Sequence, residues 1–149
     1  MTDDLAGLSL HDLSGELVIH AARLVRAVRR LSESPGAAIR VLSLLDQFGP
    51  VGVGELARID RSSQPTMSGA VASLVERGWV EKSPDPHDAR ACVVRMTEAG
   101  SAELARVRRL NADAVEARIK AHPHHTREDL ATAVAVLRDL LADSPKGSL

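Results

Sequence analysis

The stretch that most constrains this chain is a four-residue turn, Asp60-Arg-Ser-Ser63, between two short segments of helical periodicity. Before it, "VGVGELARID" presents Leu56, Ala57 and Ile59 as its apolar side. After it, Met67, Val71, Leu74 and Val75 recur at steps of three and four and predict an inner helix face. Ser62 or Ser63 can cap this second helix, Pro65 suits its first turn, and Gly78 ends it as a C-terminal glycine does. Two helices joined so tightly are a helix-turn-helix candidate. Beyond Gly78 the period changes. "WVEKS" and "ACVVRMT" are short and β-branched, and "PDPHDAR" between them predicts a hairpin with a long loop. A helix-turn-helix followed at once by a hairpin is the winged-helix pattern.

Both flanks read as helical. Ser9 with Asp12 resembles a capping box, and Leu13, Leu17, His20, Leu24, Val28 and Leu31 mark one face of a helix over roughly 10–33. Ser34 is the expected N-cap of the next helix, with Ala38, Val41, Leu42 and Leu45 on its buried face and Gly49-Pro50 as its stop. After the hairpin, Leu104, Val107, Leu110, Ala114 and Ile119 predict a helix from Thr97 to about Ala121. "HPHHT" breaks it, Thr126 with Asp129 forms a second capping box, and Leu130, Val134, Leu137 and Leu141 carry a last helix. The expected fold is mainly α with a small β-hairpin wing. Its expected parts are an N-terminal helix (1–34), a winged helix-turn-helix core (35–100), and C-terminal helices with a tail (101–149).

Composition narrows the classes. At 149 residues, 44% hydrophobic and 26% charged, the chain can bury one core. No apolar run approaches the ~18–20 residues of a membrane span, and the acidic, mixed start "MTDDLAGLSLHDL" lacks a leader's pattern. A single Cys92 allows no internal disulfide. These features set the expectation of a cytoplasmic protein with no membrane partner. Phe48 and Trp79 are the only Phe, Tyr or Trp residues, which argues against stacking single-stranded bases on aromatic platforms. Net charge is −1, but nucleic-acid binding depends on local rather than global charge.

The outward face of the second helix of the pair is Pro65, Thr66, Ser68, Gly69, Ala72, Ser73 and Glu76. Small polar residues there suit a helix that enters the major groove, and a helix N-terminus favours phosphate. The bland alternative is a solvated helix. The segments "GELARIDRSSQPTMSGAVASLVERGWVEK", "DPHDAR" and "RMTEAG" closely resemble the MarR family of multiple-antibiotic-resistance regulators. The match is specific in the Asp-Pro-x-Asp-x-Arg wing signature and the following Thr-x-x-Gly, and extends more weakly through the flanking helices.

The resemblance implies a sequence-specific transcriptional regulator, a dimeric repressor on a pseudo-palindromic operator, released by a small aromatic or phenolic ligand. It implies that Arg90 at the wing tip enters the minor groove, where arginine profits from a narrow, electronegative channel. Asp88 can pair with Arg90 and fix its direction. Expected double-stranded DNA contacts are Ser63, Gln64, Pro65, Thr66, Ser68, Gly69, Ser73, Arg77, Asp88 and Arg90. Leu13, Leu17 and Leu24 with Leu130, Val134, Leu137 and Leu141 are the expected homodimer contacts, because such apolar stripes exceed what a small winged domain needs. His20, expected to be a buried and satisfied histidine, could with Arg23 line a ligand pocket.

Gly69 and Ala70 depart from the family, which often carries a larger polar or basic residue at one of these positions. Glycine there costs helix stability and either permits close approach to DNA or weakens base readout. A winged-helix interaction module without DNA binding is therefore a competing function, as is a metal- or redox-responsive regulator. His122, His124 and His125 invite a metal reading but lack a neighbouring carboxylate or cysteine cluster, so no metal or other cofactor is expected. Cys92 falls in the second wing strand and reads as a small packing residue. Asp85, His87 and Asp88 fall on a predicted exposed hairpin tip, where nothing would exclude water, so no catalytic residue and no enzyme is expected.

Overall fold

The computed structural model describes residues 5–31, 33–85, 88 and 91–142. The chain divides into two compact units, 1–33 and 34–149.

The first unit is essentially one helix, α1 (Leu10–Arg29). Ser9 caps it by accepting from the Asp12 amide at 3.2 Å, while its own hydroxyl donates to the Asp12 carboxylate at 2.6 Å. Val28 is buried, but Leu13, Leu17, Val18, Ile19, Leu24 and Val25 are exposed. His20 is exposed too, with Nε2 3.1 Å from Glu16 one turn back. The expectation of a buried histidine is thus corrected: the apolar stripe beside His20 is itself solvent-facing in the single chain.

The second unit contains α2 (Gly36–Phe48), α3 (Val53–Asp60), α4 (Gln64–Glu76), β1 (Val80–Pro84), β2 (Cys92–Met96), α5 (Glu98–Ala121) and α6 (Arg127–Ala142). β1 and β2 pair antiparallel, with Val80 opposite Met96 and Pro84 opposite Cys92. Val51 adds a further antiparallel bridge to Val94: the Val51 amide donates to the Val94 carbonyl at 3.3 Å and the Val94 amide to the Val51 carbonyl at 2.9 Å. The helix-turn-helix is thereby tied to the wing through the chain between α2 and α3.

Val41 and Leu42 of α2, Leu56 of α3, Met67, Val71 and Leu74 of α4 and Val94 of β2 are the largest fully buried side chains. Leu104 brings the start of α5 into the same core. Each such side chain contributes about 1.5–3 kcal/mol when withdrawn from water. Val75 is exposed, which corrects its expected place on the inner face of α4. Met67, Val71 and Leu74 suffice for that face, and Val75 falls a helical step to its side.

Ser34 is not the cap of α2. Pro35 holds the cap position, and the Ser34 hydroxyl instead donates to Glu103 of α5. Cys92 is exposed rather than packed: it shares a strand face with the buried Val94 but stands at the loop end of the ladder, opposite Pro84. The expected boundary between 100 and 101 falls inside α5. Every residue of α6 is exposed, including Leu130, Val134, Leu137, Leu140 and Leu141.

Candidate nucleic-acid interface

The local chemistry of the turn sets the direction of α4. α3 stops in a left-handed cap: the Arg61 amide donates to the Arg58 carbonyl at 3.3 Å and the Ser62 amide to that of Ala57 at 3.0 Å. Asp60 closes α3 with its side chain only 6% exposed, gripped by Arg40 of α2 (Nε–Oδ1 2.6 Å). This pair fixes the corner of the helix-turn-helix to α2. Ser63 then caps α4, accepting from the Thr66 amide at 3.2 Å. Pro65 has no amide hydrogen and the Thr66 amide serves the cap, so a phosphate at this helix start would find fewer donors than an uncapped helix end presents.

Pro65, Thr66, Ser68, Gly69, Ala72, Ser73 and Glu76 are all exposed, as are Ser63 and Gln64. Opposite them Met67, Val71 and Leu74 are buried. One face of α4 is therefore locked into the core, and the other is smooth, small and polar. An alanine Cβ built on Gly69 would meet nothing within 4 Å, so nothing within the chain requires glycine there.

Arg77 lies at the other end of α4, as its C-cap, with its guanidinium 5.2 Å from the centre of the Trp79 ring. Gly78 follows with φ +70° and lets the chain turn into β1. The wing returns through Asp85, whose amide donates to the Ala91 carbonyl at 2.9 Å, and the Ala91 amide donates to the Asp88 carbonyl at 2.9 Å. Asp88 is exposed. Pro86, His87, Ala89 and Arg90 lie outside the described residues, and with them the expected pairing of Asp88 with Arg90.

Thr97 and Gly100 lock the wing to α5. The Thr97 hydroxyl donates to the Gly78 carbonyl at 2.6 Å and accepts from the Gly100 amide at 3.1 Å, while the Thr97 amide donates to the Trp79 carbonyl at 3.0 Å. A Cβ on Gly100 would stand 2.0 Å from the Trp79 carbonyl oxygen, which is why the Thr-x-x-Gly element needs its glycine. The sequence marked this element as a motif; its contact with Trp79 joins residues far apart in the chain and carries no local signal.

A second lock joins the beginning of α2 to α5. Arg106 donates through Nε and a terminal nitrogen to both oxygens of Glu103, each at 2.8 Å, and reaches the Ser34 hydroxyl at 3.2 Å. The Arg106 hydrogen bonds hold the Glu103 carboxyl well below the usual range, at about 2, against an opposing push from burial and with help from Ser34 and the charge of Arg77. On the exposed side of α3, Arg58 is paired with Glu55 at 2.7 Å, and its hydrogen bond is the main cause of a lowered Glu55 pKa.

The remaining candidates fall elsewhere. Arg23 is exposed on α1, and neither it nor His20 lines the 390 Å³ hollow at the wing base formed by Pro50, Val51, Gly52, Glu55, Asp85, Val93 and Arg95. His122, His124 and His125 are exposed at the turn between α5 and α6, with the rings of His122 and His125 edge to face at 6.1 Å. Among the described residues, no group of three or more His, Cys, Asp or Glu side chains could hold a metal ion. Nor is any helix among them long and apolar enough to cross a membrane.

Residues 37–92, the span from α2 to the start of β2, match the family profile described as the MarR family. The chain is 28% identical over 136 residues to the HTH-type transcriptional regulator Mb0904 of Mycobacterium bovis, covering 89% of this chain and 95% of that one. It is 40% identical over 63 residues to the HTH-type transcriptional repressor NicR of Pseudomonas putida, covering 42% of this chain and 40% of the relative. The fold is similar to that of a MarR family protein from Bacillus stearothermophilus, with a TM-score of 0.71 at 20% identity over 90% of this chain and 94% of the other. Residues 37–92 thus carry a match to the MarR family, and most of the chain is similar to helix-turn-helix transcriptional regulators.

Proposed function

We propose that this regulator is a homodimeric repressor that acts in the cytoplasm on a pseudo-palindromic operator. In this reading α4 enters the major groove and the wing flanks it, with Arg90 directed into the minor groove. The observation that carries it is the division of α4. Its inner face is anchored by Met67, Val71 and Leu74, leaving Ser63, Gln64, Pro65, Thr66, Ser68, Gly69 and Ser73 as a low, polar outer face. Arg77 and Asp88 complete the proposed contact set.

The dimer reading rests on apolar surface. Leu13, Leu17 and Leu24 of α1 and Leu130, Val134, Leu137 and Leu141 of α6 are all exposed in the single chain. Faces of that kind are covered in a stable protein, and a second copy offers matching ones. Residues 1–34 and 101–149 are thus the proposed pairing helices, with 35–100 as the reading head. Two heads related by a two-fold axis would meet half-sites one helical turn, about 10 bp, apart. Release by a small aromatic or phenolic acid completes the proposal; Arg23, exposed on α1, is a cation suited to the acid's carboxylate. Repression has support from the likeness to NicR, a named transcriptional repressor.

Fluorescence anisotropy on duplex DNA from upstream of the protein's own gene tests this reading. Wild type is expected to bind in a salt-dependent manner, and Arg90→Ala to lose ~1–3 kcal/mol of affinity with its fold intact. Asp88→Ala should lose less. Unchanged binding in both variants would remove the wing from the interface. Binding no tighter than to unrelated DNA would favour an interaction module.

A further inference from the structure

One side of α1 carries a stripe whose spacing is the same read from either end. Asp12, Glu16, Ile19, Arg23, Arg26 and Arg30 follow one another at steps of four, three, four, three and four. Such steps keep to one helix face and are those of a coiled-coil seam. Five of the six are exposed, and the sixth, Glu16, still has a side chain 45% exposed. Leu13, Leu17 and Leu24 each stand one residue, about 100°, further round the helix, so this stripe is distinct from the apolar one.

Its charges are sorted, with both acids towards the start and all three arginines towards the end. The helix dipole favours that order only within the first and last turns. Asp12 and Arg26 lie in those turns, but Glu16 and Arg23 do not. Nor do the acids serve the arginines within one helix. Side chains on a helix meet three or four residues apart, and Glu16 and Arg26 are ten residues, about 15 Å, apart. The local partners are smaller: Ser9 engages Oδ2 of Asp12 at 2.6 Å and His20 engages Oε2 of Glu16 at 3.1 Å, so each carboxylate keeps room for a further donor.

A second copy of the stripe, turned end for end, matches it at every step. Each facing pair is centred on position 21: Asp12 meets Arg30, Glu16 meets Arg26, and Ile19 meets the alkyl stem of Arg23. A parallel copy would set acid on acid and arginine on arginine. A uniform polyanion would suit the arginines but be repelled by Asp12 and Glu16. We propose that α1 pairs antiparallel with α1 of a second copy, in the register fixed by Glu16 against Arg26 and Asp12 against Arg30. The two-fold axis passes near residue 21, so each contact occurs twice. The inference rests on the homodimer reading above and adds to it a direction, a register and a charge code that rejects mismatched partners.

Charge reversal on separate chains tests this pairing directly. Full-length Glu16→Arg and Arg26→Glu are prepared, one with a mass tag, mixed, and allowed to exchange subunits. Native mass spectrometry then counts homodimers and mixed dimers, with tagged and untagged wild type as the control. Both sites are on the surface of α1, so each variant should keep wild-type helix content by circular dichroism. In either variant's homodimer both Glu16–Arg26 contacts become like-charged, whereas in the mixed dimer both are opposite again. Two exposed contacts turned from attraction to repulsion should weaken each homodimer roughly tenfold relative to the mixed dimer. Mixed dimers should then make up roughly nine-tenths of all dimers at about 50 mM salt, against roughly half for the wild-type control, and the excess should fade near 1 M. A mixed fraction of half or less, beside a wild type that dimerises, would overturn the register and leave the homodimer standing. The same random pairing, joined to weaker duplex binding by Arg26→Glu alone, would overturn it in favour of DNA as the arginines' partner. A wild type that stays monomeric would overturn both readings.

Discussion

One substitution made at two glycines should move stability in opposite directions. At Gly100, in the first turn of α5, an added Cβ would lie 2.0 Å from the Trp79 carbonyl oxygen, 2.9 Å from its carbon and 3.1 Å from Met96 Cγ. The first two obstacles are backbone, so they cannot rotate away. Relieving the clash requires α5 and the entry to β1 to separate by more than an ångström. Overpacking of this sort costs ~1–3 kcal/mol or more. Separation also strains the bonds from Thr97 to Gly78 (2.6 Å) and to Trp79 (3.0 Å), worth about 0.5–1.5 kcal/mol each. Alanine's better helix propensity returns up to ~1 kcal/mol. The net expectation for Gly100→Ala is a loss of about 2–4 kcal/mol, or roughly 5–15 °C in Tm at this chain length. Gly69 has open space around its would-be Cβ, so Gly69→Ala should gain up to ~1 kcal/mol from helix propensity alone. Both variants are compared with wild type by calorimetry and denaturant titration at one fixed protein concentration, since association shifts apparent stability. Gly100→Ala within about 0.5 kcal/mol of wild type, as an unremarkable surface change would be, would refute the close packing of α5 on Trp79.

Three further outcomes follow from named interactions. Glu103 has a folded pKa near 2 against an ordinary 4.5, so the unfolded chain takes up its proton first. Its stabilisation is complete above about pH 4.5 and is lost as pH falls toward 2, amounting to no more than ~3 kcal/mol at about 1.36 kcal/mol per unit. In acid unfolding monitored by circular dichroism, wild type should lose its advantage over Glu103→Gln across that window; a constant gap would contradict the Arg106 clamp. Arg40→Ala strands the Asp60 carboxylate, whose side chain is 6% exposed, and should cost about 1–3 kcal/mol by urea titration. That lies below the cost of breaking a fully buried pair because Arg40 itself is 43% exposed. Ser63→Ala removes the α4 cap and should cost ~1 kcal/mol by the same titration, with the thermal transition still cooperative.

Much of this architecture was legible because it is encoded locally. The steps of three and four through α2, α4 and α5, the capping pairs Ser9–Asp12 and Thr126–Asp129, and the glycine at 78 act within a turn or two of themselves. The errors have non-local causes. Ser34 has a capping residue's chemistry, but its hydroxyl is drawn to Glu103 on a helix much later in the chain. His20 sits in an apolar stripe that is not covered within the single chain, so the stripe marked an apolar face without marking burial. Cys92 shares a strand face with the buried Val94, and only its place at the loop end of the ladder, opposite Pro84, leaves it uncovered. The exposed face of α4 was readable from periodicity. The left-handed backbone of Arg61 was not, because an arginine in a polar turn carries no sign of the conformation it must adopt. Arg90, central to the proposed wing contact, lies outside the described residues.

The most direct test of a two-headed DNA reader is hydroxyl-radical footprinting of the full-length protein on the DNA upstream of its gene. Expected are two protected half-sites related by a two-fold axis, with centres about 10 bp apart. Protection at a single unpaired site, or none beyond that on unrelated DNA at the same salt, would contradict the dimeric operator-binding function proposed here.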